Sequence, residues 1–544
     1  MTHPYAHLTA RLSCAALLLG SLAGCQINQT VSDPVRSQPA AGESPVVVSI
    51  TSNTAQLESF DTLELTKLAP GGVAGAVQSL VMQNFSLRRA APGMARDTSV
   101  FIGTLPAGEY YLTKLHNGQT MLKLGGASSV GIFTVADGTP VDLGRVIITP
   151  MASRILVGRS ARVTTNGDLL RRYSPEHARL FAGTTAPGWK RPRDATDRVE
   201  EFALSRPIGA DCMSELADGR IVAASRMGTL LVREKTGHWD LLRGPGIESL
   251  LCVLPVQLPD ADLLAVGEFG ALLRHAPGAA TLAPVDTGNL PPGNLLRIVG
   301  NTTAGWYIAH QGGDTVTIFH SKQLNAGAWT PLTQTSVRGN LWNGANRFTM
   351  WPTREGFGWN VTGSPLHYYD FATGRMTDRP LPENRRLISM EASPTNLLSV
   401  VTKATGFGSV FGKVHVSSDE GRSWTEIASP FSIKDSPVVQ LPDGTMLIDG
   451  SISGHTELQA SSDGGKTWHR HADYLPGRYA HAFGSGLMVD ASSAWSGISS
   501  LRSSSDGGRN WTAEYSTFDP AALGALLGLK APVNQTAPET IAVP

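Results

Sequence analysis

The 544-residue sequence has few cysteines, no net charge and no long hydrophobic run. It contains four cysteines, and Cys14 and Cys25 both lie in the first segment, so thiols alone cannot build a zinc site in the folded part. Lysine plus arginine equal aspartate plus glutamate at 45 each, which leaves no global field to attract nucleic acid. We therefore expect no metal, no cofactor and no nucleic-acid partner.

Strongly helical stretches are also scarce, whereas glycine, at 58 residues, and proline, at 34, are frequent. Many short strands joined by tight turns have this composition. The chain is too long for one ordinary compact domain unless that domain is a large repeat architecture. The sequence therefore predicts an all-β protein of two domains.

The amino terminus has the pattern of an export signal. Arg11 precedes an apolar run over 12–22, which is too short to span a bilayer but fits the hydrophobic part of a signal peptide. The run ends in Leu22-Ala23-Gly24-Cys25. This segment resembles the lipobox of bacterial lipoproteins, and the resemblance implies a signal peptide over 1–24 and palmitate-type acyl chains on Cys25. The alternative is a plain secretory signal with a fortuitous cysteine.

The residues after Cys25 bear on where the protein is located. Gln26 stands where an aspartate would retain a Gram-negative lipoprotein, so the resemblance implies a cell-envelope protein anchored by lipid in the outer membrane, facing the periplasm or the surface. Residues 25–44 are polar and rich in Ser, Pro, Gln and Ala. This composition predicts a flexible tether.

Residues 45–151 contain short apolar runs separated by turn residues. Examples are 46–50, 99–102 and 145–148, and the Pro-Ala-Gly turn at 106–108 directly precedes an aromatic run. These runs predict strands of a β-sandwich-like domain. No His, Cys or carboxylate cluster occurs there, so we interpret the domain as a spacer or an interaction module.

One motif recurs three times near the carboxyl end, at intervals of about 43 residues. The copies are 417–424, 461–468 and 504–511, each with a Ser-Ser-Asp start, a glycine and a final tryptophan. An Asp carboxylate can accept N–H groups of its own turn, a glycine allows positive φ, and the tryptophan can pack between sheets. The three key positions of each copy are Asp419, Gly421 and Trp424; Asp463, Gly465 and Trp468; and Asp506, Gly508 and Trp511.

The motif resembles the Asp-box, or bacterial neuraminidase (BNR) repeat, and this resemblance implies a sialidase-like β-propeller. A period of about 40 to 50 residues also fits four-stranded propeller blades. Aligned repeat starts predict seven blades over 205–515, with six or eight as alternatives. Residues 152–204 are then a connecting or ring-closing segment, which could lend a strand to the ring, and 516–544 form a carboxyl-terminal tail. The aspartates are interpreted as structural turn residues.

A ligand site of a propeller usually lies on the face opposite the Asp-box turns, where the second strand of each blade ends. The aligned repeats predict a polar ring on this channel face: Ser225, Glu268, His310, Asn360, Lys403, Asp449 and Asp490. Its carboxylates suit acid/base work or a cation. The alternative is that strand ends are polar because they meet water.

Cys212 and Cys252 occupy matching positions in adjacent repeats. An exported protein can oxidise them, so a disulfide is one outcome. Matching positions need not lie within bonding distance, which leaves the pairing open.

The motif predicts architecture rather than chemistry, because proteins with Asp-boxes include sialidases, other glycoside hydrolases, sorting receptors and assembly factors. A sialidase has an early Arg-Ile-Pro motif, whereas this sequence has Ser205-Arg206-Pro207-Ile208. The leading hypothesis is a non-catalytic envelope protein that binds a protein or a glycan. The alternatives are a glycoside hydrolase using Asp449, Asp490 and Glu268, and an assembly factor for an envelope complex.

Overall fold

The protein is described from a computed structural model. The described residues are 39–54, 57, 60–68, 84–89, 97–117, 119–125, 129–151, 154–163, 165–184, 189–190, 194–209, 212–338, 346–382, 385–404, 412–431, 436–452, 455–472, 480–492, 499–520 and 524. The predicted signal peptide, the lipobox with Cys25, and most of the predicted tether and tail lie outside these residues.

The amino-terminal domain is built from nine strands. Their bounds are β1 Glu43–Ser52, β2 Thr62–Lys67, β3 Asn84–Arg89, β4 Thr98–Pro106, β5 Gly108–His116, β6 Met121–Lys123, β7 Phe133–Val135, β8 Val141–Met151 and β9 Arg154–Arg159. They form one sheet in the order β6-β5-β2-β3-β4-β1-β8-β9, with β7 paired to β5. Neighbouring strands are antiparallel except β1 and β8, which run parallel.

This sheet wraps around a single apolar core. Val46, Val48 and Ile50 alternate along β1 and pack with residues of β2, β3, β4, β5 and β8 in one cluster. The opposite face of β1 is also buried, because Val47 packs against Leu170 and other apolar residues. The predicted sandwich is therefore one continuous sheet around one core, since β3 links β2 to β4.

Short helices follow the nine-stranded sheet. They are Gly167–Tyr173, Pro175–Ala178, the 3-10 turn Arg179–Phe181 and the helix Asp194–Ser205. Among the described residues, no helix is long and apolar enough to cross a membrane. The segment over 152–204 thus connects the two domains, and its strand β9 pairs with β8 of the amino-terminal sheet instead of joining the propeller.

The second domain is a β-propeller of seven four-stranded antiparallel sheets in the described chain. The first three sheets are β10 Met213–Glu215, β11 Ile221–Ala224, β12 Thr229–Arg233, β13 Trp239–Arg243; β14 Leu250–Leu258, β15 Ala261–Gly267, β16 Leu272–His275, β17 Ala283–Pro284; and β18 Asn294–Asn301, β19 Gly305–Gly312, β20 Thr315–Ser321, β21 Thr330–Ser336. A 3-10 turn, Glu268–Gly270, follows β15.

The remaining four sheets repeat the same antiparallel order. Their strands are β22 Phe348–Pro352, β23 Gly356–Val361, β24 Leu366–Asp370, β25 Met376–Arg379; β26 Arg386–Ala392, β27 Leu398–Lys403, β28 Lys413–Ser417, β29 Thr425–Ile427; β30 Val439–Gln440, β31 Met446–Ile452, β32 His455–Ser461, β33 His469–Ala472; and β34 Ala480–Ala482, β35 Met488–Ser492, β36 Ser500–Ser504, β37 Thr512–Ser516.

The ring closes by packing between sheets. Apolar clusters join each sheet to the next, and a last cluster joins the seventh sheet, through Val489, to the first, through Ile221. Each propeller sheet consists of four consecutive strands in the part of the chain that the structure describes. The prediction that the ring could borrow a strand from 152–204 was therefore wrong, because packed side chains close it.

Candidate functional site

The three repeated turns, 417–424, 461–468 and 504–511, share one hydrogen-bond pattern. In the second, Thr467 donates to Asp463 from its backbone N–H at 2.9 Å and from its hydroxyl at 2.6 Å, and the Ser461 hydroxyl donates at 2.8 Å. Asp419 and Asp506 receive the equivalent bonds in their own turns. The hydroxyl of Thr467, with the other donors, holds the pKa of Asp463 well below its usual range.

The glycine and the tryptophan of each turn complete this local structure. Gly465 has a φ of +83°, a conformation that favours glycine, and its N–H donates to Ser461 Oγ at 2.9 Å. Trp468 packs against the apolar cluster that joins the fifth and sixth sheets. These contacts lie within the turn or between sheets, and they fit the structural role that the sequence predicted.

Two tryptophans that the repeat search did not use occupy corresponding places in other sheets. Trp239, in Gly237-His238-Trp239, is buried in the cluster between the seventh and first sheets. Trp329, in Gly327-Ala328-Trp329, is buried in a cluster of the first three sheets. The shortened Gly-x-Trp pattern was the signal that could have located both turns from the sequence.

Five of the seven predicted ring residues lie near the carboxyl end of a second strand or directly after it, whereas Asp449 and Asp490 lie at the centres of β31 and β35. Antiparallel pairing places that end of each sheet opposite the repeated turns, which follow the third strands. Five of the seven are nevertheless buried, and they are Ser225, Glu268, His310, Asn360 and Asp490. These five side chains therefore do not form an open polar rim, because they are closed off from solvent.

Glu268 binds the amino-terminal domain. It is 0% exposed, and its carboxylate accepts the backbone N–H groups of Asp97, of Thr98 at 3.0 Å and of Ser249 at 3.2 Å, and the Thr98 hydroxyl at 3.1 Å. Burial, with repulsion from the Asp97 carboxylate, raises the pKa of Glu268 to about 7. It is a domain-interface residue and is not open to a ligand.

His310 and Asn360 are held by bonds within their own sheets. His310 Nε2 donates to the Pro291 carbonyl at 3.0 Å, and burial lowers the pKa of the imidazole. Asn360 Nδ2 donates to the carbonyls of Ser364 and Pro365 at 2.7 and 2.9 Å. Both side chains therefore stabilise the loops beside their strands.

Lys403 and Asp449 are half-buried, and they are the two ring residues with exposed surface. Asp490 is 0% exposed, and neither of its carboxylate oxygens has a hydrogen-bond partner within the described structure. Burial raises the pKa of Asp490 to about 6, although Arg502 opposes this shift. A binding role for these residues stays a prediction.

The amino-terminal domain covers the channel face over the first two propeller sheets. Arg145, which is fully buried, pairs with Glu248 at 3.2 Å, and Arg226 pairs with Asp97 at 3.2 Å. Ile147 packs with Met227 and Ile247 in an interdomain cluster. The aromatic rings of Tyr173 and Phe269 also meet edge to face at 5.1 Å. These contacts close part of the face that the sequence assigned to a ligand.

Two opposite charges inside the ring were missed by the sequence search. Arg297 lies on the innermost strand β18 and Glu391 on the innermost strand β26. Burial raises the pKa of Glu391 to about 7, an effect that the positive charge of Arg297 opposes. The available signal for this pair was a charged residue on an inner strand. The alignment of strand ends did not consider that position.

Cys212 and Cys252 form a disulfide between the inner edges of the first two propeller sheets. Their Cα atoms are 5.0 Å apart, within the range that a disulfide spans. Arg297 Nη1 lies 3.6 Å from Cys212 Sγ. The pairing that the sequence left open is thus present.

A cavity of about 170 Å³ opens on the other face, between the second and third sheets. Trp306, Leu258 and Leu324 supply apolar walls, and the Arg274–Asp260 ion pair lies at the same place. Among the described residues, no group of three or more His, Cys, Asp or Glu side chains could hold a metal ion. The described residues therefore provide an apolar cavity beside the Arg274–Asp260 ion pair, and they provide no metal site built from three such side chains.

Comparison with solved structures gives other β-propellers. YCF48 bound to a D1 peptide is 17% identical over 51% of this chain and 88% of its own, with a TM-score of 0.37. The WD40 propeller of Doa1 is 11% identical over 51% of this chain and 88% of its own, with a TM-score of 0.32. A puromycin hydrolase is 15% identical over 61% of this chain and 57% of its own, with a TM-score of 0.42.

No protein-family model matches the chain, and no curated protein sequence matches it. At these identities the solved structures bear on fold alone. The β-propeller is the common element.

Proposed function

We propose that the protein is a non-catalytic envelope lipoprotein whose propeller binds a protein or a glycan. The observation that carries this proposal is the burial of the carboxylates available for hydrolysis. Glu268 and Asp490 are 0% exposed, and Asp449 is half-buried. A glycoside hydrolase needs two carboxyl groups that flank the substrate bond, so this arrangement favours binding over catalysis.

The proposed binding surface is the part of the channel face that the amino-terminal domain leaves uncovered. The described contacts of that domain lie mainly on loops of the first and second sheets. The partner therefore has access to the fourth to seventh sheets. Lys403 and Asp449 lie on this side and keep exposed surface. We expect the contact energy to be spread over several blades, with each polar residue contributing modestly.

An affinity experiment tests this surface. The protein is immobilised and exposed to native envelopes and to a glycan array, in the unmodified form and as Lys403→Glu and Lys235→Glu variants. Lys235 is the matched control, because it is exposed on a turn at the opposite face. A partner retained by the unmodified protein and by Lys235→Glu, and several-fold less by Lys403→Glu, supports the proposal. Equal retention by all three contradicts the proposed surface.

The hydrolase alternative gives a different result in the same preparation. Its support is the pKa of Asp490, which burial raises to about 6, a value that suits a general acid. A broad glycoside panel should then show turnover that Asp449→Asn and Asp490→Asn reduce by orders of magnitude with little change in stability. Absence of turnover by the unmodified protein favours the binding proposal.

The assembly-factor alternative predicts that the immobilised protein retains subunits of one envelope complex in the affinity experiment.

The proposed location rests on the motif that ends at Cys25. The proposed type of propeller rests on the three repeats. We propose that the motif at 22–25 is a lipobox and that the repeated turns are Asp-boxes, as their sequences suggest. Two or three acyl chains give firm membrane attachment, since each buried methylene contributes about 0.8 kcal/mol.

Replacement of Cys25 by serine is expected to abolish acylation and to move the protein from the membrane fraction to the soluble fraction. Fractionation and mass spectrometry of the amino-terminal peptide measure both effects. Cys14→Ser is the matched control and should leave acylation unchanged. Continued acylation and tight membrane association of Cys25→Ser would refute the lipoprotein proposal.

A further inference from the structure

Asp490 on β35 is a buried acid without hydrogen-bond partners. Its side chain is 0% exposed, and both carboxylate oxygens lack a partner in the described structure. Ser500, on the neighbouring strand β36, is 6% exposed, and its Oγ also lacks one. Buried polar groups are normally hydrogen-bonded, and leaving one without a partner destabilises a fold. Three such oxygen atoms in one region indicate a site that takes a ligand.

Strand pairing brings these atoms to one face of the seventh sheet. Asp490 is directly opposite Arg502, and Ser492 is directly opposite Ser500. Asp490 and Ser500 are therefore diagonal neighbours, a spacing at which side chains on one sheet face interact. Met488, two residues before Asp490, packs against the sixth sheet. Alternation along the strand places Asp490 on that same face.

The sixth sheet presents a second carboxylate to this gap. Leu447 of β31 belongs to the same apolar cluster as Met488. Asp449 follows Leu447 by two residues and pairs with Leu458, which belongs to that cluster as well. Asp449 and Asp490 therefore lie on the two sheet faces that pack against each other, just beyond the apolar contact.

An ionised Asp490 carboxylate brings a buried negative charge into this gap. Arg502 attracts the Asp490 carboxylate but donates no hydrogen bond to it, since neither carboxylate oxygen has a partner in the described structure. An ionised buried carboxylate needs a positive partner in contact.

We propose that the gap between the sixth and seventh sheets binds a divalent cation of the calcium class, with Asp490, Asp449 and Ser500 Oγ as protein ligands. All of these donors are oxygens, which is the donor type that Ca²⁺ and Mg²⁺ prefer, and thiol or imidazole ligands are not required. The protein ligands are fewer than the 6 to 8 oxygens that Ca²⁺ takes, so water completes the shell. The cation joins the last two blades and neutralises the charge of the buried Asp490 carboxylate.

Calorimetric titration of the full-length protein in detergent, after chelator treatment, tests the site. Calcium chloride is the probe, with magnesium chloride as the competitor. We expect saturable binding by the unmodified protein, at least tenfold weaker binding by Asp490→Asn, and several-fold weaker binding by Ser500→Ala. Asp443→Asn is the matched control, because Asp443 is exposed in a turn at the opposite end of the sixth sheet. It should bind like the unmodified protein.

Thermal unfolding separates a cation site from an acid that is merely buried and neutral. Calcium should raise the unfolding temperature of the unmodified protein and of Asp443→Asn, and should not raise that of Asp490→Asn. Absence of binding at millimolar calcium and magnesium, or unchanged affinity in Asp490→Asn, overturns the proposal. If Asp490→Asn does not fold, Ser500→Ala decides, because full calcium affinity in that variant also overturns it.

Discussion

Glu268→Ala is expected to weaken the attachment of the amino-terminal domain to the propeller by about 3 kcal/mol or more, since an unsatisfied buried group costs about 1–3 kcal/mol. The substitution leaves three buried backbone N–H groups, those of Asp97, Thr98 and Ser249, without their acceptor. Chemical denaturation measures the loss, and limited proteolysis between the domains should accelerate. Glu426→Ala is the control, because Glu426 forms a surface ion pair with Lys413. Equal stability of the two variants would contradict the assignment.

The same residue predicts a pH dependence. Burial and the Asp97 carboxylate raise the pKa of Glu268 to about 7 in the folded protein. An acid whose folded-state pKa is raised is favoured in its protonated form, so this contribution to stability is fully present below the unfolded-state pKa and declines as pH rises through about 7. Stability should therefore fall between pH 5 and pH 8. The decline should be smaller in Glu268→Gln, and an unchanged slope would show that other groups cause it.

Removal of the disulfide is expected to cost about 4 kcal/mol, the chain-entropy value for a closed loop of this length. The Cys212–Cys252 bond spans 40 residues and joins the first two sheets at their inner edges. The Cys212→Ser/Cys252→Ser variant should unfold at lower denaturant concentration than the oxidised protein. Reductant should lower the midpoint of the unmodified protein and leave that of the variant unchanged. A midpoint insensitive to reductant in both proteins would contradict a stabilising disulfide.

Much of the propeller could be predicted because its signals are local. The aligned repeats gave starts near Leu296, Arg347, Ile388, Pro437 and Ala480, and the corresponding inner strands begin at Asn294, Phe348, Arg386, Val439 and Ala480. Turn residues and alternating apolar residues act over a few positions, so a single sequence carries them. The shortened turns at Trp239 and Trp329 were not recognised as copies of the motif, because the aspartate is missing there.

The site was harder to predict than the fold. Alignment placed five of the seven ring residues near the ends of their strands, but exposure depends on what packs over each end. His310 and Asn360 are engaged by nearby loops, whereas Glu268 is engaged by another domain. The sequence pattern of a polar residue at a strand end is the same whether water, a loop or another domain covers that residue.

The sequence by itself determined the repeated turns, the strand alternation and the spacing of the propeller repeats, because each of these follows from hydrogen bonds and packing between residues close in the chain. Tertiary structure alone decided that Thr98 would meet Glu268 from 170 positions away. It also decided that Cys212 and Cys252 would bond and that Asp449 and Asp490 would lie on facing sheets. These outcomes depend on how two folded surfaces fit together, and no short stretch of residues encodes that fit.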